Sequence, residues 1–374
     1  AIKDFDDSIE KSKVYEDRDG LPAYERLDYD TVKREFEKDH FMIKSPYCFM
    51  EEDTIDDKKI VRAYNENAFK GIVKPWQYEK FTGKGLERIS ILNTWIADKK
   101  RRVYKKLDFI PKFINSKEIY NTFQGFDFSC YNEVNFKYST ELIDMFRKQI
   151  SILCDHEEAT VEWVMKFFAD IFQNPDRLPA VALVMKSGQG WGKDRVIDCI
   201  SKLLGSQYVH RTAKTEEVFG QFNSAIKNKI LLQLNELEGK DGFANKEKLK
   251  NLITENETSI NQKNLQEYVQ SNFVRIVICS NNSTPIEIPA GDRRFVVTQA
   301  STMKPSTEHF NKLSKLMEDE SELFSLYQFF MGYDLGDISL RNCRPKTQAY
   351  KEMQTNTIHP FYYWLNYALM DYKE

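Results

Sequence analysis

Residues 180–205 constrain the fold of this chain more than any other stretch, because they combine an apolar run, a glycine-rich loop and an amphipathic segment. The run AVALVM (180–185) is wholly apolar, which is typical of a strand buried on both faces of a parallel sheet. After the glycine-rich loop, the segment DRVIDCISKLLG (194–205) places its apolar residues on one helical face and ends at Gly205. Strand, loop and helix in this order predict an α/β fold built on a parallel sheet.

The loop SGQGWGKD (187–194) is similar to the phosphate-binding template G-x-x-x-x-G-K-[ST]. In that template, backbone N–H groups at a helix start hold an anion, the lysine reaches the outer phosphates and the hydroxyl binds Mg²⁺. Gly192 and Lys193 fit the template, whereas Ser187 replaces its first glycine and Asp194 replaces its hydroxyl. A plain glycine-rich turn is the alternative. The predicted nucleotide-binding residues are Ser187, Gly188, Gly190, Trp191, Gly192, Lys193, Asp194 and Arg195.

Two further apolar runs predict neighbouring strands that end in polar residues. KILLQL (229–234) is followed by Asn235 and Glu236, and RIVICS (275–280) is followed by Asn281. Ligands of open α/β sheets bind outside the carboxyl ends of the strands. Glu236 is therefore a candidate to hold Mg²⁺ or to polarise the attacking water, and Asn281 is a candidate to orient that water. A solvated acidic turn and an asparagine-rich turn are the alternatives.

Two basic features lie downstream of the acidic strand. Arg293 and Arg294 lead into an apolar run, and a guanidinium that reaches a transferring phosphate lowers the barrier to its transfer. Lys263 lies in the polar segment INQKN (260–264), at a turn predicted between the second and third strands. Paired arginines at the start of a strand are usually exposed to solvent. Considered alone, Lys263 is better interpreted as a surface lysine than as a residue that contacts DNA.

The rest of the chain divides by composition and apolar spacing. LERISILNTWIADKKRRVYKK (86–106) predicts one helical stretch that ends in basic residues, followed by an extended segment before Pro111. Two amphipathic helices are predicted within residues 139–172, and another helix over residues 359–374. The predicted regions are an accessory α+β region (1–110), a helical region (111–175), an α/β core (176–300) and a C-terminal helical region (301–374).

The composition excludes an overall basic nucleic-acid binder, because 54 Lys and Arg against 57 Asp and Glu leave a net charge of −3. Any DNA-binding surface must therefore be local. The six cysteines form no C-x-x-C pair and the five histidines are scattered, which argues against zinc and against a disulfide framework. No apolar run approaches the roughly 20 residues that cross a bilayer, so we expect a soluble intracellular protein without a membrane partner. Since the chain begins at Ala1, we expect it to be a piece of a longer polypeptide.

The order of these motifs resembles the superfamily 3 helicases, which are ring-forming AAA+ ATPases of small DNA viruses, phages and plasmids. The resemblance rests on the loop ending Gly192-Lys193, the strand ending Asn235-Glu236, and the segments INQKN, IVICSNN and GDRRF. The stretches TWIADKKRRVYKKLDFIP, YNTFQGF and FADIFQNPDRLPAVALVMKSGQGWGKD are similar to the helicase portion of phage primase-helicases, which are related to the poxvirus primase-helicase. The resemblance begins near residue 90 and ends near residue 350.

The resemblance implies an AAA+ ATP-dependent DNA helicase or translocase, acting on single-stranded DNA in phage or viral genome replication in the host cytoplasm, as a ring of six subunits. It also implies an upstream primase-polymerase domain in the same chain. Lys193 would bind the β- and γ-phosphates, Glu236 would serve the water or Mg²⁺, and Asn281 would be the sensor amide. Arg294 would reach the nucleotide of the neighbouring subunit, with Arg293 as its substitute.

Two elements outside the nucleotide site also have implied roles. Lys263 would lie on a hairpin that projects into the pore of the ring and grips one DNA strand by contacts to phosphate, which require only local positive charge. The helices within residues 139–172 would form a collar that packs subunits together. Alternatively, those helices pack only on the core of their own chain.

Two residues depart from the family pattern, in which Ser or Thr follows the lysine and an acid pair ends the second strand. This chain has Asp194 and Asn235-Glu236 at those positions. Because Mg²⁺ prefers carboxylate oxygen, our hypothesis is that Asp194 and Glu236 hold Mg²⁺ and that Asn235 is a neutral neighbour. The alternatives are a degenerate nucleotide-binding module that oligomerises or tethers a primase to DNA, and another AAA+ machine such as a clamp loader, DNA packager or protein remodeller.

Overall fold

The computed structural model describes residues 15–16, 22–23, 28–55, 58–83, 85–114, 116–128, 137–236, 245–337 and 339–357. The chain divides into two compact units. The first unit comprises residues 1–108, 115–122 and 264–266, and the second comprises residues 109–114, 123–263 and 267–374.

The first unit is an α+β fold. Its described elements are β1 (Tyr15–Glu16), β2 (Pro22–Ala23), α1 (Tyr29–Asp39), β3 (His40–Ser45), β4 (Cys48–Ile55), β5 (Lys58–Tyr64), α2 (Glu66–Ile72), β6 (Gln77–Thr82), β7 (Gly85–Ser90), α3 (Ile91–Ala97), β8 (Val103–Asp108) and β9 (Ile119–Asn121). A mixed sheet has the order β5-β4-β3-β8-β9. Its core is aromatic, because Phe36, Phe49 and Trp95 are fully buried together.

One predicted helix in this unit is partly wrong. Residues 86–90 belong to strand β7, in which Leu86 lies opposite Phe81 of β6, and helix α3 begins only at Ile91. Strand β7 begins at Gly85, whose φ of +138° is a conformation that favours glycine. The apolar spacing did not indicate the antiparallel pairing of β7 with β6. The helix also ends earlier than predicted, at Ala97, and residues 103–106 belong to strand β8, which continues into the extended segment predicted before Pro111.

The second unit contains the predicted phosphate loop and described helices and strands on both sides of it in the sequence. They are α4 (Glu141–Leu153), α5 (Glu158–Gln173), β10 (Ala182–Lys186), α6 (Lys193–Leu204), β11 (Val209–Thr212), α7 (Glu216–Phe219), β12 (Leu231–Asn235), α8 (Lys246–Thr254), β13 (Glu257–Ile260), β14 (Tyr268–Ser271), β15 (Arg275–Ser280), β16 (Phe295–Gln299), α9 (Thr307–Leu316), α10 (Glu320–Met331) and α11 (Gln348–Thr357). Most of the regions predicted as helical, α/β core and C-terminal helical lie in this unit, but residues 115–122, which include strand β9, and residues 264–266 belong to the first unit.

The central sheet of this unit is parallel and has the strand order β11-β12-β15-β10-β16. The apolar runs 180–185, 229–234 and 275–280 correspond to β10, β12 and β15, so the predicted α/β fold with a parallel sheet is confirmed. β15 lies between β10 and β12. Because the strands run in the same direction, the loop after β10 and the residues after β12 and β15 meet at the carboxyl edge of the sheet.

The two helices predicted within residues 139–172 are α4 and α5, separated by a turn after Leu153. Their apolar sides pack with α6 and α10 in one core, where the ring centroid of Phe146 lies 5.9 Å from that of Phe168 and 5.6 Å from that of Phe330. These faces are therefore buried within their own chain, as the alternative to a collar predicts. A contribution of their outer surfaces to a subunit contact stays a prediction.

A buried ion pair joins the end of α5 to the start of β15. Arg275 is fully buried, and its Nη2 donates to Oδ2 of Asp170 at 3.0 Å and to the carbonyl oxygens of Asn174 (2.6 Å) and Arg177 (2.9 Å). A cation at this point satisfies carbonyl groups that the end of a helix leaves without partners. The arginine that opens an otherwise apolar strand thus anchors α5 to the sheet.

The helices of the described ranges include none with the length and apolar character needed to cross a membrane. The helix predicted over residues 359–374 lies outside the described residues.

Candidate nucleotide-binding site

The glycine-rich loop connects β10 to the first turn of α6 and adopts backbone conformations that favour glycine. Gly190 has a φ of +75° and Gly192 a φ of +85°. A Cβ atom on Gly192 would lie 2.6 Å from Cε1 of Phe310 and 2.7 Å from Nε2 of Gln149, so the packing excludes a side chain there as well. The loop therefore brings its backbone close to the start of α6, where N–H groups remain available to an anion.

Lys193 joins this loop to the end of β15. Its buried ammonium donates hydrogen bonds to Oγ of Ser187 at 2.7 Å, to the carbonyl oxygen of Ser187 at 3.1 Å and to Oδ1 of Asn281 at 2.8 Å. Burial lowers the pKa of Lys193, whereas the neighbouring Glu236 and Asp194 raise it. The structure thus brings Ser187, Lys193 and Asn281 together, with Ser187 as a hydrogen-bond partner of the lysine.

Glu236 lies at the point where β12 leaves the sheet. Its φ is +49°, and its backbone N–H donates to the carbonyl oxygen of Cys279 at 2.9 Å. Its Oε2 accepts a hydrogen bond of 3.4 Å from the backbone N–H of Asn281. The predicted acid and the predicted sensor amide are therefore adjacent, although β12 and β15 are far apart in the sequence.

Gln233 connects the two residues that depart from the family pattern. Its Nε2 donates to Oδ1 of Asp194 at 2.6 Å and to Oδ1 of Asn235 at 2.8 Å. The side chain is 0% exposed, in the middle of a strand that is otherwise apolar. The sequence analysis did not single out Gln233, although a lone amide within an apolar run is a signal that a buried polar partner is present.

A cavity of ≈ 600 Å³ lies at this edge of the sheet, which is within the usual size range of ligand pockets. Its wall includes eight of the predicted residues, namely Gly190, Trp191, Gly192, Lys193, Asp194, Arg195, Glu236 and Asn281. The opposite wall is the first turn of α9, which contributes Thr307, Phe310 and Asn311. The sequence predicted a helix there but carried no signal that its first turn faces the phosphate loop.

Gln149 is a second buried amide that the sequence analysis missed. It is 0% exposed on α4, and its Nε2 donates to the carbonyl oxygen of Trp191 in the loop at 2.8 Å. Its Oε1 lies 2.9 Å from Nε2 of His309 on α9. Because Gln149 already donates through its amide group, His309 must be the donor in the second bond. One side chain therefore links α4, the phosphate loop and α9.

The oxygen atoms around this cavity suit Mg²⁺. Asp194 and Glu236 both line it, and Oδ2 of Asp194 has no partner among the described residues. Carboxylate oxygens supplemented by water and phosphate are the ligands that Mg²⁺ takes in nucleotide sites. The residues present therefore fit the predicted ion.

Arg293 and Arg294 lie away from this cavity. Both precede β16 and are therefore at the amino edge of the sheet, about 16 Å from the carboxyl edge for a strand of five residues. Asp292 accepts the backbone N–H of Arg294 at 2.7 Å and its Nη1 at 3.1 Å. Arg293 is exposed, and its side chain forms no hydrogen bond or ion pair within the described ranges. Neither arginine can reach the nucleotide cavity of its own chain.

Lys263 is exposed in the turn of the antiparallel hairpin formed by β13 and β14, as predicted. Asn223 holds a neighbouring loop against this hairpin, because its Nδ2 donates to the carbonyl oxygen of Ser259 at 2.7 Å and its Oδ1 accepts from the backbone N–H of Asn261 at 2.9 Å. The adjacent Phe222 is 49% exposed. The sequence analysis did not identify this aromatic residue.

Together, these features define an α/β protein with a phosphate-loop-like site at the carboxyl edge of a parallel sheet. Residues 185–294 match a protein family of unknown function, DUF5906. The chain is also 28% identical, over 171 residues, to the DNA primase-polymerase of Nitratiruptor phage NrS-1, a match that covers 45% of this chain and 24% of that protein. The chain is therefore homologous to part of a phage primase-polymerase, and the match spans about a quarter of that relative's length.

Solved structures of the NrS-1 C-terminal region share the fold. The apo structure of that region (305–718) has a TM-score of 0.66 at 18% identity, covering 90% of this chain and 76% of the other. The A form apo structure also has a TM-score of 0.66, at 19% identity, with 89% and 76% covered. At such identities the likeness concerns the fold alone.

Proposed function

We propose that this chain is an ATP-dependent DNA helicase or translocase of the superfamily 3 class, which acts on single-stranded DNA during phage genome replication. The observation that carries the proposal is the junction of Lys193, Asn281 and Glu236, which come from three segments of the chain and meet at one cavity. A phosphate-binding cation, a sensor amide and a carboxylate are the groups that hydrolysis of a nucleoside triphosphate needs in one place.

The bound nucleotide would place its phosphates against the loop and the first turn of α6. Lys193 would exchange its hydrogen bonds to Ser187 and Asn281 for bonds to the β- and γ-phosphates. Because the site is preorganised and partly closed to water, such a bond is stronger than it would be in bulk solvent. Phe310 on α9 offers an apolar surface opposite the loop.

Mg²⁺, held by Asp194 and Glu236, would neutralise negative charge on the phosphates. Glu236 is also placed to accept a proton from water, and the freed amide of Asn281 would orient that water toward the γ-phosphate. The hydrogen bond between the backbone of Asn281 and Glu236 keeps the two groups side by side. The residues proposed for binding Mg²⁺ and for orienting water all line the same cavity.

The proposal includes a ring-shaped oligomer with six subunits as the expected number, and the position of the arginines supports a contact between subunits. Arg293 and Arg294 lie at the amino edge of the sheet, so a guanidinium that assists hydrolysis would have to serve the nucleotide of a neighbouring subunit. Asp292 would orient Arg294 for that contact. The position of β15 between β10 and β12 also supports the proposed AAA+ core.

Single-stranded DNA would bind at the hairpin of β13 and β14. Lys263 would contact phosphate, and Phe222, held beside the hairpin by Asn223, would stack on a base. The net charge of −3 does not oppose this function, because the contact needs only local positive charge. The homology to a phage primase-polymerase supports a replication role and an upstream primase-polymerase domain in the same chain.

The proposal is tested by the ATPase rate with and without single-stranded DNA. We expect DNA to stimulate wild-type hydrolysis and Lys193→Ala to abolish it, whereas Lys202→Ala, an exposed lysine on the same helix, should behave as wild type. Absence of both ATPase activity and an effect of Lys193→Ala would contradict the proposal.

Asp194 supports a second candidate, a nucleotide-binding module that oligomerises or tethers a primase to DNA without hydrolysing ATP. That module would bind nucleotide and DNA but show no turnover in the same assay. A strand-displacement assay then separates a helicase from other AAA+ machines.

A further inference from the structure

We propose that Gln233 is a positioning residue that makes Asp194 and Asn235 one coupled unit, in which Asp194 on the first turn of α6, and not position 235 on β12, supplies a carboxylate for Mg²⁺ beside Glu236. The inference rests on the proposed nucleotide function and extends it to a residue that contacts neither nucleotide nor metal. Its basis is the pair of hydrogen bonds from one fully buried amide group to both positions.

The backbone places these groups together. Gln233 and Asn235 are two residues apart on β12, so their side chains point to the same face of the sheet. Asp194 is the second residue of α6, which packs on that face. A buried amide at position 233 is therefore within reach of both residues, at 2.6 Å and 2.8 Å.

The charge of Asp194 determines the orientation of all three side chains. An ionised carboxylate only accepts hydrogen bonds, so Gln233 must turn its NH₂ group toward Asp194. The same NH₂ group faces Asn235, which must then present Oδ1 and direct its own NH₂ group elsewhere. The charge of Asp194 thus determines which atoms of the Gln233 and Asn235 amide groups face each other.

The unpartnered atom of Gln233 agrees with this orientation. Its Oε1 is buried without a hydrogen-bond partner in the part of the chain that the structure describes. Leaving a buried acceptor unsatisfied is unfavourable, so the orientation must be compensated by the bonds on the amide side, one of which is charge-assisted. Gln233 therefore holds Oδ1 of Asp194 and leaves Oδ2 for a cation.

This arrangement predicts that the effect of a substitution at position 235 depends on which residue is present at position 194. With Asp194 present, an aspartate at position 235 would place two carboxylates on one amide group, where like charges repel. With threonine at position 194, the same aspartate would be the only carboxylate on Gln233 and would supply the missing metal ligand. A neutral asparagine at position 235 is thus compatible with the charged Asp194, because it accepts a hydrogen bond from Gln233 without adding a second negative charge.

A double-mutant cycle tests the coupling through Mg²⁺-dependent binding of a fluorescent ADP analogue, which requires no turnover. We expect Asp194→Thr to weaken the apparent Mg²⁺ affinity about tenfold, and the double variant with Asn235→Asp to return to within about threefold of wild type. Asn235→Asp alone should not increase the apparent Mg²⁺ affinity of the wild-type protein by a comparable factor. Equal effects of Asn235→Asp in both backgrounds would overturn the coupling.

Gln233→Met then tests the residue itself. The variant removes the amide but keeps a similar volume, and its folding is checked by thermal unfolding beside Gln328→Met, a control on α10. In the Gln233→Met background we expect the coupling between the substitutions at 194 and 235 to become smaller, which a merely structural role of Gln233 would not produce. A coupling of undiminished size without the amide would overturn the positioning role. If this variant does not fold, the cycle with Gln233 intact still decides the coupling.

The outcomes separate this inference from the proposed function. Wild-type protein that binds no Mg²⁺-ADP would overturn both. Wild-type protein that binds and hydrolyses nucleotide, but gives an additive cycle, would overturn only the coupling.

Discussion

The ammonium group of Lys193 lies 2.8 Å from Oδ1 of Asn281, which joins the phosphate loop to the end of β15 across 88 residues of sequence. In the proposed site the γ-phosphate and Asn281 compete for the same cation. Binding of the triphosphate would therefore free the asparagine side chain, which gives the protein a direct means of sensing the nucleotide.

Substitutions at Asn281 should separate nucleotide binding from hydrolysis. Asn281→Ala removes the sensor amide but not the lysine, so we expect ATP affinity close to wild type and a hydrolysis rate lower by about a hundredfold. Asn281→Asp should pair with Lys193 and weaken ATP binding by about tenfold or more. Equilibrium binding and steady-state ATPase assays measure the two effects, with the exposed neighbour in Asn282→Asp as the control. Equal losses of affinity in all three variants would contradict the assignment.

Arg294 should act in the active site of a neighbouring subunit. We expect Arg294→Ala to abolish ATPase activity and, because it leaves buried Asp292 without its ion-pair partner, to lower the free energy of unfolding by about 1–3 kcal/mol. Mixing this variant with Lys193→Ala should restore part of the activity, since some interfaces then combine an intact lysine with an intact arginine.

The matched control is Arg293→Ala, which keeps the pair with Asp292. Its loss of activity should be smaller, and its thermal unfolding should match wild type. A larger loss at Arg293 would identify that residue as the donor, and no recovery in mixed assemblies would argue against action between subunits.

Lys263 and Phe222 should affect DNA binding in different ways. Lys263→Ala should reduce the salt dependence of single-stranded DNA binding, by about one unit in the slope of log affinity against log salt for each phosphate that the lysine neutralises. Phe222→Ala should weaken binding by about 1–3 kcal/mol per stacked base with little change in that slope. Fluorescence anisotropy over a salt series measures both quantities. Identical slopes for Lys263→Ala and the Lys202→Ala control would exclude binding of a phosphate by Lys263.

His40 should make the stability of the first unit depend on pH. Burial against Phe36 lowers the pKa of His40 below its usual value, while the bond from its ring to the carbonyl oxygen of Phe36 acts in the opposite direction. The unfolded chain therefore takes up the proton more readily, and stability is lost as the pH falls through about 6.5. Denaturant unfolding at pH 7.5 and pH 5.5 should show a smaller loss for His40→Phe than for wild type. Equal losses would exclude His40 as the cause.

The elements of the core could be predicted from the sequence because their signals are local. A strand buried on both faces is mainly apolar, so β10, β12 and β15 are visible as apolar runs even though Gln233 interrupts β12 and Arg275 opens β15. The helix after the loop is visible from its apolar spacing and from Gly205, which ends it with a φ of +94°. Lys193, Glu236 and Asn281 could be placed because parallel strands bring their carboxyl ends together.

Strand β7 could not be predicted from apolar spacing, because only Ile89, opposite buried Tyr78 of β6, packs on the core, while most of the strand is exposed. Leu86 and Phe81 lie opposite each other and are both exposed, so they carry no core signal. The spacing of residues 86–97 therefore resembled a helix over its whole length.

The sequence by itself indicated the glycine-rich loop, the apolar strands β10, β12 and β15 and the polar residues that follow them. Only the tertiary structure decided that Gln233 bridges Asp194 and Asn235, that Gln149 links the loop to α9, and that the arginines lie at the opposite edge of the sheet. The reason is physical: apolar periodicity reports which face of an element is buried, whereas a hydrogen bond between side chains depends on which elements become neighbours after folding.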